Sequence, residues 1–413
     1  MDKGKILIIG AGPIGCYTAR LLKEKNAGLD VVIIEEHPGI GRPIHCAGLV
    51  GQNVFSEMKI NTSAEFKPYP EGRGLKASLS INPERTQNNI EQTPVFGPES
   101  RRINFGRHNG VILNGIDGAE VFLDGESFKI NRKEVAVVID RERFDRYLGE
   151  GLRVDFNTRF VGVENEGNGY LVETDRKEYY ADIVIGSDGA NSALRRMGGF
   201  KERIEYMRGV QFRMKYNDCE KNFVQIHLKN PFFAWIIPEG EKIVRAGIIS
   251  DNPYHDLTEF LTERRIEGEI LEKFAGVVPF GSCATQNGNL ILVGDAACQV
   301  KPLTQGGIYY GMRCAEILTD CISEDRIKDY EHECKRRFGR EMEIGLKVRQ
   351  IYQDLKPIDA KKLFAILRDN ANIIEEFGDF ENHSKVLPLI IKDARLQILL
   401  GKVLFGLLKD IFI

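Results

Sequence analysis

Residues 5–36, KILIIGAGPIGCYTARLLKEKNAGLDVVIIEE, constrain this chain more than any other stretch. Two short apolar runs flank a segment from Cys16 to Lys25 whose apolar positions 17, 21 and 22 follow helical spacing. The order is strand, glycine turn, helix, strand, which makes one βαβ unit. Gly10, Gly12 and Gly15 form G-x-G-x-x-G at the turn. The first glycine permits the tight turn, the second lets a pyrophosphate approach the backbone, and the third lets helix and strand pack closely. The helix N-terminus adds free N–H groups and a positive dipole end. Glu35 follows Gly15 by twenty positions, at the end of VVII, where a carboxylate can accept from both hydroxyls of an adenosine ribose. The pattern predicts a dinucleotide site; the alternative is a glycine turn in a nucleotide-free sheet.

With 413 residues the chain has room for two domains, or for one built from interleaved segments. Its 42% hydrophobic and 28% charged residues, at a net charge of -3, describe an ordinary soluble protein with no whole-chain drive towards nucleic acid. No nucleic-acid partner is expected. The eight cysteines (16, 46, 219, 283, 298, 314, 321 and 334) contain no C-x-x-C pair, which argues against structural zinc, an iron–sulfur cluster or a redox dithiol, and no metal site is expected. A reducing compartment fits them. The opening MDKGKILIIG leaves no room for a secretory signal and no run of 18 apolar residues occurs, so the expectation is a cytoplasmic protein.

Further along, residues 61–109 hold only 12 members of the hydrophobic set and five of the 15 prolines, and read as a mostly loop-like polar insertion. Between Gly110 and Asp140, runs rich in β-formers are separated by NG, DG and DG, the chemistry of antiparallel hairpins and a small sheet. Residues 208–250 are strand-rich, LTEFLTERRIEGEILEKFA (257–275) looks helical, NLILVGDAA is a buried strand, and a helix is expected over Gly307–Ser323. From Asp325 the chain is helix-like, ending in the apolar stretch Ala394–Ile413.

A second signal selects the dinucleotide. NLILVGDAACQVKPLTQGGIYYGMRCAEIL places a strand before Gly294-Asp295, then Pro302, then a Gly306-Gly307 pair opening a helix at Ile308. Reduction of a flavin puts negative charge on its N1/C2 carbonyl edge, and a helix N-terminus that admits close approach stabilises that anion. Asp295 can accept from a ribityl hydroxyl. VVIDRERFDRYL offers Arg141, and ADIVIGSDGANSALRR ends a buried strand at Ser187-Asp188-Gly189.

Taken in order, these motifs resemble the FAD-binding pattern of the para-hydroxybenzoate hydroxylase-like flavoproteins. RPIHCAG, NPFFAWIIP, VGDAACQVKPLTQGGIYYGM and IIEEFGDFENHSKV resemble, more narrowly and nearly end to end, the geranylgeranyl reductases, especially the archaeal digeranylgeranylglycerophospholipid reductases. The resemblance implies an α/β fold with three parts. A discontinuous Rossmann-like FAD-binding domain takes 1–51, 135–200 and 281–324, an antiparallel β-sheet substrate domain takes 52–134 and 201–280, and a C-terminal helical region takes 325–413. It implies FAD contacts from Gly10, Gly12, Pro13, Gly15, Glu35, Glu36, Arg42, Cys46, Ala47, Arg141, Asp188, Gly294, Asp295, Pro302, Gly306, Gly307 and Ile308. The implied activity is FAD-dependent saturation of the C=C bonds of geranylgeranyl chains in archaeal lipid precursors. The family's aromatic and proline box is departed from: Asn230, Phe233, Trp235, Ile237 and Pro238 occupy its positions, and only Trp235 and Pro238 match. The alternatives are an FAD-dependent aromatic hydroxylase and an electron-transfer flavoprotein.

The family places the loop after the second strand, here GRPIHCAGLV, on the reacting side of the flavin, making Cys46 and His45 the candidate catalytic residues. Cys46 otherwise packs as a small hydrophobe, and His45 as loop filler. Reduction of an isolated alkene needs a hydride at one carbon and a proton at the other. Cys46 is a candidate proton source, as is a water held by His45 or by backbone groups. Phe232, Phe233 and Trp235 are candidates for an aromatic wall, or are plain strand core. No second strand-G-x-G-x-x-G-helix holds NAD(P)H, so the donor is either a transiently docking nicotinamide or a protein such as ferredoxin. The apolar tail is a candidate peripheral contact with the inner face of the cell membrane, or a helix packed on the body.

Overall fold

The computed structural model describes residues 4–58, 110–229, 231–385 and 392–399. The insertion 61–109, Asn230 and most of the apolar tail lie outside the described residues.

The first βαβ unit forms as its pattern requires. Ile6, Leu7, Ile8 and Ile9 of the strand Lys5–Ile9 are all buried, each contributing about 1.5–3 kcal/mol of apolar burial. Pro13 starts the helix Pro13–Lys25, and Lys23 and Lys25 in its last turn complement the macrodipole. Strand Asp30–Glu35 returns parallel to the first. A six-stranded sheet grows from this pair in the order Gln286–Asn287, Leu290–Leu292, Ile183–Gly186, Lys5–Ile9, Asp30–Glu35, Val154–Phe156, parallel except at its Gln286–Asn287 edge. Helices Pro13–Lys25, Arg141–Gly149 and Ile308–Ser323 share a core under one face. The expected fold class, a Rossmann-like nucleotide-binding part with a separate sheet and a helical C-terminal region, is what the chain adopts.

The second sheet has eight strands, in the order Ile270–Cys283, Glu202–Lys215, Ile243–Ile249, Phe232–Pro238, Phe223–Lys229, Ile112–Leu123, Glu126–Ile139, Leu49–Gly51. Helix Pro253–Glu263 covers one face through Leu257 and Phe260, which pack on Ala234, Ile236 and Ile248. Helix Pro357–Asp369 covers part of the other, with Phe364 against Val121 and Phe128.

Two local expectations are corrected. Of the three turn signals between 110 and 140, only Asp124-Gly125, with φ of 49° and 89°, makes a hairpin. Asn114-Gly115 and Asp117-Gly118 fall at register shifts inside one long strand that belongs to the large sheet rather than to a small one. Residues suited to turns also suit bulges. The helix expected over 257–275 ends at Glu263: Arg265 takes a left-handed φ of 54°, and Ile270–Cys283 is a strand paired along Glu202–Lys215. That long-range ladder outweighs the local helical tendency of EILEKFA.

Candidate active site

The glycine turn has the shape a pyrophosphate needs. A Cβ on Gly10 would lie 2.6 Å from the Ser187 carbonyl oxygen and one on Gly15 only 2.1 Å from the Gly10 oxygen, so both glycines are required by packing. A Cβ on Gly12 would meet nothing within 4 Å, and no side chain caps the helix there. The open place is the one where a phosphate would meet the helix N-terminus. Glu35 Oε2 accepts from the Ala11 N–H (2.7 Å), and Oε1 accepts from the His37 N–H (2.9 Å) and pairs with His37 Nδ1 (2.6 Å). The carboxylate is thereby aimed along the turn, with lone pairs left for ribose hydroxyls. Glu36 is exposed.

The other expected cofactor residues gather around this turn. Asp188 Oδ2 caps the short helix Ala193–Met197 through the N–H groups of Ala193 and Leu194 (2.7 and 3.1 Å), while Oδ1 is buried with no partner among the described residues. Gly294 and Asp295 open a short 3-10 turn, and Gly307 must be glycine because a Cβ would sit 2.4 Å from Asp295 Oδ1. Gly306 and Gly307 precede the uncapped N-terminus of Ile308–Ser323. Gly311 in that helix packs on Ile14 of the first, so both helix starts are held together. Pro302 is fixed by Arg349, whose Nη1 donates to its carbonyl at 2.9 Å. These donors and spaces fit a flavin dinucleotide spanning the two helix starts.

The thiol loop closes one side. His45 Nδ1 donates to the Ala275 carbonyl (2.7 Å) and packs on Gly276. Arg245 reaches from the large sheet to the carbonyls of Ala47 (2.5 Å) and Ile139 (3.1 Å), its charge matched by buried Glu239. Cys46 is partly buried, and its sulfur accepts from the Gly48 N–H at 3.3 Å. Arg141 holds Asp145 at 3.0 and 3.2 Å. Burial pushes the Asp145 carboxyl up, with Arg141 acting against it, and the same two influences act on Asp295. Arg42 is exposed and paired with Glu142 (2.6 Å).

Strand alternation sorts the aromatic candidates. Trp235 packs on the cluster of Ile116, Val138, Val224 and Ile237, as do Ala47, Leu49 and Phe380, lies over Gly247, and donates from Nε1 to Gln211 Oε1 (3.1 Å). Phe233 stands beside it, ring centroids 5.9 Å apart. Phe232 alternates to the opposite face and is not brought together with them.

Several residues of the site were not singled out in the sequence, although Arg195, Lys301, Glu381 and His383 lie within the quoted motif stretches. Arg245 shows in sequence only as a charge inside the apolar strand IVRAGII. Arg195 is buried and ties the two strand-end loops by donating to the carbonyls of Ala190 and Ala296, both at 2.7 Å. Lys301 and Glu381 form a buried pair at 2.9 Å that docks the segment around Phe380 onto the Pro302 loop. His383 follows there, its imidazole lowered to about 3 by burial and by Lys301.

Fold and cradle together define a Rossmann-like nucleotide-binding class with a separate eight-stranded sheet. Within that class the chain is similar to the geranylgeranyl reductases, as its motifs indicated. Residues 8–58 match a family model described as an NAD(P)-binding Rossmann-like domain. The chain is 26% identical to a digeranylgeranylglycerophospholipid reductase of Methanocella arvoryzae, over 84% of this chain and 86% of that protein. It is 29% identical, over 98% of each chain, to an uncharacterized protein of Methanocaldococcus jannaschii. In structure it is similar to a geranylgeranyl bacteriochlorophyll reductase-like protein of Thermoplasma acidophilum, at a TM-score of 0.75, 20% identity and full coverage of both chains. Among the described residues no helix is long and apolar enough to cross a membrane.

Proposed function

We propose that this protein is an FAD-dependent reductase that saturates the C=C bonds of geranylgeranyl chains in digeranylgeranylglycerophospholipid-type membrane lipid precursors. The observation that carries the proposal is the similarity, over 84–98% of the chain, to proteins named digeranylgeranylglycerophospholipid reductase. The local geometry supports it: Ala47 and Leu49 of the thiol loop pack on the same cluster as Trp235, and Cys46 packs on the core of the nucleotide-binding sheet.

When bound, reduced FAD supplies the hydride. The chain supplies the rest. Cys46 Sγ holds the proton for the second alkene carbon, and His45, fixed through Ala275, orders the loop next to it. Protonation of a trisubstituted alkene develops positive charge at the tertiary carbon. Phe233 and Trp235 offer ring faces worth about 0.5–2 kcal/mol each to such a charge. The enzyme works in the cytoplasm at the inner face of the membrane, and its reductant is either NAD(P)H or a ferredoxin.

Anaerobic reduction of the flavin-loaded protein by dithionite, followed by addition of the lipid, tests the reading. Flavin reoxidation with a mass gain of two hydrogens per double bond is expected, and repeating it with NAD(P)H or ferredoxin in place of dithionite distinguishes the donors. Cys46→Ala should retain flavin yet slow the lipid-dependent step by roughly 10²–10⁴-fold. A flavin that stays reduced against lipid but reoxidises with oxygen, faster when a small aromatic is present, would instead identify an aromatic hydroxylase.

A further inference from the structure

We infer that Arg349, with Gln305 beside it, forms a phosphate-binding site at the Pro302 loop, which takes the phosphate of the lipid headgroup or a free phosphate. Arg349 is thus a specificity-determining residue for the phosphorylated form of the substrate. The identity of the lipid rests on the reductase reading; the phosphate chemistry does not.

Four Arg and Lys residues are buried among the described residues, and three of them meet a carboxylate: Arg195 pairs with Glu202 at 2.6 Å, Arg245 with Glu239 at 2.5 Å and Lys301 with Glu381 at 2.9 Å. Arg349, 7% exposed, pairs with none of the described acids. Burial draws its guanidinium below the usual range, and the acid that acts against this is Glu205, an exposed residue. An uncompensated buried charge is costly, so this one is suited to an anion that the chain does not itself supply. The donors of Arg349 are also used unevenly. Nη1 donates to the Pro302 carbonyl at 2.9 Å, and Cζ lies 4.6 Å from the Phe280 ring centroid. The other edge, Nε with Nη2, is the fork that fits two oxygens of a phosphate. Here Nε is buried with no partner among the described residues, and Nη2 meets the thioether of Met207, a weak acceptor.

Separate elements converge on this edge. Gly345 lies one turn before Arg349 on helix Arg340–Asp354, and a Cβ there would sit 3.0 Å from Pro302 Cγ, so that face of the helix rests directly on the loop. The loop is closed by two backbone bonds, from the Gln305 N–H to the Lys301 carbonyl (2.8 Å) and from the Lys301 N–H to the Gly306 carbonyl (3.2 Å). Gln305 takes a left-handed φ of 62° in it, and its Nε2 donates to Met207 Sδ at 3.4 Å. Its Oε1 is left buried with no partner among the described residues. Met207, on strand Glu202–Lys215, therefore touches both the open donor edge of Arg349 and the amide with the open acceptor. A phosphate answers both. Two of its oxygens accept from Nε and Nη2, and a hydroxyl on the phosphate or the headgroup donates to Gln305 Oε1. Methionine is unbranched and pliable, so its thioether can swing aside as the phosphate enters.

The test reads binding rather than turnover. Flavin-loaded protein is titrated calorimetrically with digeranylgeranylglyceryl phosphate and with digeranylgeranylglycerol, both in detergent micelles, and separately with inorganic phosphate. The phosphorylated lipid is expected to bind at least about tenfold more tightly than the alcohol, the effect of a charge-assisted fork. Arg349→Met should erase that preference and leave the alcohol bound as before, while Arg349→Lys, which keeps the charge but not the fork, should restore part of it. Inorganic phosphate that binds as tightly as the lipid, and is lost in Arg349→Met, assigns the site to free phosphate; a lipid at least about tenfold tighter assigns it to the headgroup. Equal wild-type affinities for the two lipids, with no binding of inorganic phosphate, overturn the inference. So does an Arg349→Met variant that weakens both lipids alike, the mark of a purely structural clamp on Pro302, or that weakens flavin alone, which turns the fork to the cofactor. If Arg349→Met does not fold, Arg349→Lys and Gln305→Met decide by the same preference. Equal reduction of both lipids with no Arg349-dependent phosphate binding would sink this inference alone; such binding without lipid reduction would sink the reductase reading and leave the phosphate site standing.

Discussion

Replacing Lys301 by methionine is expected to lower stability by about 3–5 kcal/mol, the cost of leaving one member of a buried ion pair uncompensated. The Lys301 and Glu381 side chains are 5% and 1% exposed and lie 2.9 Å apart. Lys301 also donates to the Phe380 carbonyl (3.0 Å) and lies over the Phe380 ring, so one side chain anchors the segment 379–385. Burial already pushes the Glu381 carboxyl up, with Lys301 drawing it back. Denaturant unfolding should therefore show a lower midpoint for Lys301→Met. The double variant Lys301→Met with Glu381→Leu should regain a large part of the loss, because no buried charge is then orphaned. Equal losses in single and double variants would mean that the pair contributes through packing alone. The backbone N–H of Lys301 donates to the Gly306 carbonyl at 3.2 Å, a bond that methionine keeps, so the loss is that of the side chain alone.

A second pair of substitutions separates folding from cofactor binding within a single turn. Gly15→Ala forces a methyl to 2.1 Å from the Gly10 carbonyl oxygen and 2.4 Å from Ser187 Oγ. Backbone has to move, and a loss of about 1–3 kcal/mol or more is expected even in the apoprotein. Gly12→Ala meets no protein atom within 4 Å and has no unusual φ. Its apoprotein should match wild type to within about 0.5 kcal/mol. The methyl would nevertheless occupy the space in which a pyrophosphate approaches the helix, so flavin should bind at least about tenfold more weakly, a change of roughly 1.4 kcal/mol. Isothermal titration of both apoproteins with FAD checks the contrast. Equal affinity for wild type and Gly12→Ala would move the phosphates away from this turn.

The cradle was legible in the sequence because its physics is local. Gly10, Gly12, Gly15 and Glu35 sit within one βαβ unit, and each is required by a turn, a close approach or a strand end that neighbouring residues announce. Long-range matching was not legible. EILEKFA has the composition of a helix and becomes strand because Glu202–Lys215 lies alongside it. Asn114-Gly115 and Asp117-Gly118 have turn chemistry, yet pairing with Glu126–Ile139 makes them bulges. Parity alone moved Phe232 away from Phe233 and Trp235, a separation readable once a strand through 232–238 is accepted. The contact of Lys301 with Glu381 joins motifs that sequence could place only in order along the chain.

The sheet that carries the flavin cradle is stitched from distant pieces: Ile8 pairs with Ile185, Ile185 with Ile291, and Gly311 must reach Ile14. During synthesis the free edge of the first strand therefore waits for Ile183–Gly186, and the cradle waits until Gly311 has been delivered. At about 5–20 residues per second that delay is on the order of 15–60 s. Unpaired strand edges of this kind favour aggregation in nascent chains generally, and a nucleotide could act as a folding ligand here only after residue 311 has emerged. A nucleotide that binds the cradle would thus add its binding free energy only to a chain already largely made.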